Sequence, residues 1–139
     1  MVVLFLATAC EADKSSEDAS KNGDTKGGDG LFALTIDGTE FAPHKGQTFY
    51  IAVIEVDTGV VVEKESVKIL EDEFSLSWHI LEKGKAYRVD CFADMMGDGK
   101  CDDPPDHMWR VTIPAVTDEV TLTMMHDDPE NTDACNSFK

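Results

Sequence analysis

The chain has 139 residues, enough for one ordinary domain with appendages, and carries 28 acidic against 12 basic residues, a formal charge of -16 and a pI of about 4.3. Such a surface repels polyanions, which argues against nucleic acid and anionic lipid as partners and favours small cations. The last third is the most acidic part: from Asp90 to Lys139, twelve carboxylates face only Lys100, Arg110 and Lys139.

Residues 1–10 form an apolar run that ends in Ala7-Thr8-Ala9-Cys10. Small residues before a cysteine, after an apolar stretch, resemble the lipobox of bacterial lipoproteins. The resemblance implies cleavage before Cys10 and a lipid on its thiol, so that the chain is expected in the cell envelope with a membrane as its partner. Two features depart from that pattern: Ala7 stands where Leu is usual, and no Lys or Arg precedes the apolar run. Residues 11–30 follow as EADKSSEDASKNGDTKGGDG, without one aromatic or large aliphatic side chain. They cannot bury enough apolar surface to offset chain entropy and are expected to act as a tether with a reach of roughly 25 Å. The folded unit is expected over residues 31–126, with a C-terminal tail at 127–139.

From Leu31 onward the apolar period is two, which predicts strands. Leu31–Ile36 runs into Asp37-Gly38, a short hairpin signal, and continues to Phe41. Gln47–Val56 is apolar on both faces and so suits a central strand. After Asp57-Thr58-Gly59 come Val60–Lys64 and a short edge strand at Val67–Leu70. Glu73–Ile80 alternates cleanly, with Phe74, Leu76, Trp78 and Ile80 on one side. Lys85–Asp94 turns Tyr87, Val89, Cys91 and Ala93 inward; strands through Trp109–Ile113 and Val120–Met124 complete the set. About eight short strands separated by turns predict an all-β antiparallel sandwich.

Leu81-Glu82-Lys83-Gly84-Lys85-Ala86-Tyr87-Arg88-Val89 resembles the tyrosine corner of fibronectin type III and immunoglobulin-like domains, although Lys83 replaces the proline common before the glycine. The resemblance implies that the Tyr87 hydroxyl bonds the backbone upstream. Val89-x-Cys91-x-Ala93-Asp94 with Gly97-Asp98-Gly99 is similar to adhesin and prealbumin-like sandwich modules, which carry an aspartate- and glycine-rich loop at that place. Small bacterial lipoproteins also look similar around Cys101-Asp102, Pro104-Pro105, Asp106-His107 and Trp109.

With Cys10 as the lipid carrier, three thiols remain. Cys91 lies mid-strand at an inward parity and reads as a small buried hydrophobe. Cys101, in a loop, and Cys135, in the tail, are the expected disulfide in an oxidising compartment.

Two metal sites suggest themselves. In the acidic loop, Asp94, Asp98 and Asp102 fall at positions 1, 5 and 9 of a twelve-residue calcium loop, with Gly99 at the turn and the Lys100 carbonyl at position 7. Met96 at position 3 and Pro105 at position 12 exclude an EF-hand; Asp103 or Asp106 could stand in for the missing carboxylate, and the loop reads equally as a water-solvated turn with Asp98-Gly99 at its corner. The alternative is copper, held by Met108, Met125, His107 and His126, since thioethers and imidazoles suit Cu(I). His107 and His126 share the core parity at strand ends, whereas Met108 and Met125 have outward parity and are expected as cross-strand neighbours.

His44, His79, His107 and His126 are scattered along the chain and read as surface or strand-end residues. The sequence holds no nucleophile elbow, P-loop, dinucleotide fingerprint or His-Glu-x-x-His. The expectation is therefore a non-catalytic module that binds or scaffolds an unidentified protein or glycan through loops at one end of the sandwich.

Overall fold

The computed structural model describes residues 30–139. The expected leader, its Cys10 and all of the tether but Gly30 lie outside the described residues.

Seven strands form two sheets. They are β1 (Phe32–Thr39), β2 (Thr48–Glu55), β3 (Val61–Lys68), β4 (Phe74–Leu81), β5 (Tyr87–Asp94), β6 (His107–Ile113) and β7 (Val120–Met125). One sheet has the order β4-β1-β7 and the other β3-β2-β5-β6. All pairings are antiparallel except β1 with β7, which run parallel from Leu34↔Val120 to Thr39↔Met125. The all-β sandwich expected from the period-two pattern is the fold. Its strand order differs from the ABED and CFG sheets of immunoglobulin constant domains, because β1 and β2 lie in different sheets here.

Two local expectations are corrected. Asp37-Gly38 is not a hairpin, for β1 runs straight through it with alternating burial. Gly38 is needed for another reason: a Cβ there would stand 2.2 Å from Cε1 of Phe74, its partner across β4. The aromatic ring occupies the space a side chain would take, and a close cross-strand approach of this kind is a normal use of glycine in a strand. The segments at Val60–Lys64 and Val67–Leu70 are not two strands. They belong to one edge strand, β3, paired with β2 from Thr48↔Lys68 to Ile54↔Val61.

The inner faces close around Leu34, Ile36, Phe41, Phe49, Ile51, Val53, Val89, Cys91 and Trp109. Phe41, Phe49, Phe74 and Trp109 meet with centroids 5.0–5.9 Å apart, mostly edge to face, an arrangement that ring quadrupoles favour. Cys91 is free and buried here, as its parity predicts. The tyrosine corner is also formed: Glu82 N–H donates to the Tyr87 hydroxyl at 2.8 Å.

A second, smaller core lies outside the four-stranded sheet. The tail turns back as a 3-10 helix, Thr132–Phe138, and lays Ala134, Cys135 and Phe138 over Tyr50, Phe92 and Met108. The expected Cys101–Cys135 disulfide fastens it, with Cα atoms 5.3 Å apart. Beneath the tail, the carboxylate of Asp90 is wholly buried and accepts bonds from Arg110 Nε (2.7 Å), Arg110 Nη2 (3.0 Å), Arg88 Nε (3.1 Å) and the Ser137 hydroxyl (2.5 Å). This layer explains why β2 is apolar on both faces: one side meets the opposite sheet, and Tyr50 on the other meets the tail.

Candidate metal centre

The ends of β1, β5 and β7 and the starts of β2 and β6 lie at one end of the sandwich. The acidic loop and three of the four described histidines belong to this end. After β1 the chain makes a 3-10 turn, Ala42–His44, with Pro43 inside it. Phe41 anchors the turn in the aromatic core, and His44 is carried inward until it is 2% exposed. His107 opens β6, and His126 follows β7, where its N–H bonds to Thr39 O across the parallel pair.

These three imidazoles converge. Each offers one ring nitrogen, and the three atoms lie within 4.8 Å of one another. His44 Nε2 stands 3.1 Å from His107 Nδ1. Two nitrogens bound tetrahedrally to one zinc ion at 2.0–2.1 Å are about 3.3 Å apart, so the pair is already close to ligand spacing.

Each ring also turns a nitrogen toward an acceptor outside the cluster. His44 Nδ1 lies 2.9 Å from Gln47 Oε1, His126 Nδ1 2.9 Å from Asp127 Oδ1, and His107 Nε2 3.4 Å from Glu130 Oε2. An amide or carboxylate oxygen only accepts, so each of those nitrogens carries the hydrogen when its bond forms; in the metal-free protein one of His44 Nε2 and His107 Nδ1 carries a hydrogen for their mutual bond, which an ion between them would replace. Metal-bound histidines almost always show this second bond, which fixes the tautomer and the ring plane.

Burial lowers the proton affinity of His44 below the usual histidine range; the Gln47 bond opposes this, and the neighbouring His107 and His126 lower it further. A neutral imidazole is what a metal requires. Behind the cluster, the Trp109 ring stands edge-on to His44 and His107, with centroids at 5.9 and 6.0 Å and interplanar angles of 87°. Asp127, Asp128 and Glu130 lie in the segment that follows His126.

The residues proposed from sequence are distributed differently. Asp94 accepts hydrogen bonds from Gly97 N–H (2.6 Å) and Gly99 N–H (2.8 Å), and Asp106 from Met95 N–H (2.8 Å) and Asp102 N–H (3.0 Å). Both carboxylates are buried and brace the loop from within. Asp98 accepts from Lys100 N–H, and Asp98, Lys100 and Asp103 are exposed. Among the described residues, the histidines meet the geometry of a three-ligand group, and the acidic loop's carboxylates do not.

Of the soft-metal set, His107 and His126 belong to the cluster, with ring centroids 5.4 Å apart. Met108 does not. It is fully buried in the second core, where Cys135 Sγ lies 3.6 Å from its sulfur. The expectation that Met108 and Met125 are cross-strand neighbours is overturned: β6 and β7 belong to different sheets, so their outward faces look in opposite directions.

His44 is the member of the cluster that the sequence does not single out, since four scattered histidines form no spacing motif. The one available signal was its place in a Pro-containing turn directly after a strand, at the same end as His107 and His126.

Comparison with family models, curated proteins and solved structures gives no match.

Proposed function

We propose that the protein is a non-catalytic, envelope-anchored module that binds one divalent d-block cation at His44, His107 and His126. The observation that carries this reading is the convergence of three imidazoles whose remaining nitrogens each face an acceptor. Nitrogen-only donors suit Zn(II), Cu(II) and Ni(II); soft Cu(I) prefers sulfur and Ca(II) requires oxygen. The ion joins the two sheets, because His107 belongs to the four-stranded sheet and His126 follows the outer strand of the other. Anchoring rests on the lipobox-like Ala7-Thr8-Ala9-Cys10 and the polar tether after it. The sandwich is then a rigid head that carries its loops and its ion away from a membrane.

The test is calorimetric titration of chelator-treated protein with zinc, repeated with the His44→Ala variant. The proposal expects one equivalent bound by the wild type and at least a tenfold weaker complex in the variant. No binding by a folded wild-type protein, or undiminished binding by the variant, contradicts it.

A further inference from the structure

We infer that the three-histidine centre keeps one coordination position open toward solvent, and that this position takes a neutral nitrogen donor from outside the chain. The inference rests on the metal-binding reading above and adds to it the state of the fourth ligand position.

The first argument is the ligand count. Structural zinc sites are closed by four protein ligands, whereas three protein ligands leave a place for an external one. The group gathered here numbers three. Two carboxylates beside it are already directed elsewhere: Asp127 bonds His126 Nδ1, and Glu130 lies against His107 Nε2. They orient the imidazoles from outside. Asp127 moving in to coordinate would give up the bond that orients His126, and Glu130 its contact with His107.

The second argument is direction. The site is closed on its inner side by His44, which is 2% exposed, and by Trp109 at 1%. The side chains of His107 and His126 retain 37% and 21% of their exposure. An ion between the three nitrogens is therefore backed by the core and reached from the loop side.

The third argument is charge. A chain of net charge -16, with Asp127, Asp128 and Glu130 in the segment after His126, repels anions from the approach. A neutral imidazole or amine meets no such barrier. It is also the donor that a histidine side chain of a partner protein would present.

The experiment uses the full chain loaded with one equivalent of cobalt(II), whose visible absorption reports coordination number and donor type. Imidazole is titrated at millimolar concentration, and sodium azide in a parallel series. The expected result is a saturable spectral change with imidazole at lower concentration than with azide, with cobalt still bound after desalting. His126→Ala should abolish the wild-type cobalt spectrum, and His79→Ala, on β4 outside the cluster, should leave both the spectrum and the imidazole response unchanged. A protein that binds no cobalt overturns the metal-binding reading and this inference with it. A protein that binds cobalt but gives no response to either donor overturns the open position alone. A stronger response to azide than to imidazole overturns the neutral-donor assignment.

Discussion

His44 Nε2 and His107 Nδ1 lie 3.1 Å apart although 63 residues separate them in the chain. The contact joins the turn between β1 and β2 to the first residue of β6, which lies two strands from β2 in the four-stranded sheet. With His126 in place as well, three imidazoles share one end of the fold.

Acidification should destabilise the metal-free protein. Burial and its two histidine neighbours hold the His44 pKa below the ordinary histidine value of about 6.5, whereas the unfolded chain regains that value. The unfolded state thus binds more protons just below pH 6.5, and stability falls as pH drops through this window toward the folded-state value. Urea midpoints in the presence of chelator should decline between pH 7.5 and 5, and His44→Gln should flatten the slope. A midpoint that rises on acidification over this range would refute the sign.

Gly38→Ala should be costly despite its small size. The new Cβ would meet the Phe74 ring at 2.2–2.8 Å, and that ring is held by Phe41 and Phe49. Overpacking of this kind costs about 1–3 kcal/mol. Pairing it with Phe74→Leu should recover part of the loss, as a double-mutant cycle in urea would reveal.

Asp90→Ala should destabilise the tail layer. It removes the partner of Arg110 and Arg88 and the acceptor for Ser137. Breaking a fully buried pair costs roughly 3–5 kcal/mol, and the partial exposure of both guanidinium groups reduces this toward about 2 kcal/mol. The complementary variant Ser137→Ala should cost about 1 kcal/mol, the value of one hydrogen bond. Chemical denaturation measures both.

The strand pattern was legible wherever one face met the core. Cys91 buried, Cys101 with Cys135, β2 as a central strand and Tyr87 as a corner all followed from parity, position or resemblance. Gly38 was misread because Asp-Gly is a turn signal by local preference, and only the ring across β4 shows that the glycine makes room. Met108 was misplaced because outward parity reads as solvent-facing, whereas a tail some twenty-five residues later covers that face. His44 escaped because parity orders residues within strands and is silent about turns. Its meeting with His107 and His126 is a consequence of sheet order, which alternation does not encode.

Replacing both Cys101 and Cys135 with alanine should weaken the fold. The bridge closes a sequence separation of 34 residues, worth about 3–4 kcal/mol in the chain-entropy picture. Glu130 lies just upstream of Cys135, and Asn131 N–H bonds Met108 O, so the tail also supports the acceptor of His107. The double variant should therefore lose metal affinity as well as stability. A fall in the urea midpoint with unchanged zinc affinity would separate the tail from the site.

X-ray absorption at the metal edge of the zinc-loaded protein tests the central claim most directly. Three imidazole nitrogens should appear at about 2.0–2.1 Å, with the outer-ring scattering of histidine and one further nitrogen or oxygen ligand completing the shell. An all-oxygen shell without imidazole scattering, or a sulfur contribution at about 2.3 Å, would contradict the three-histidine centre.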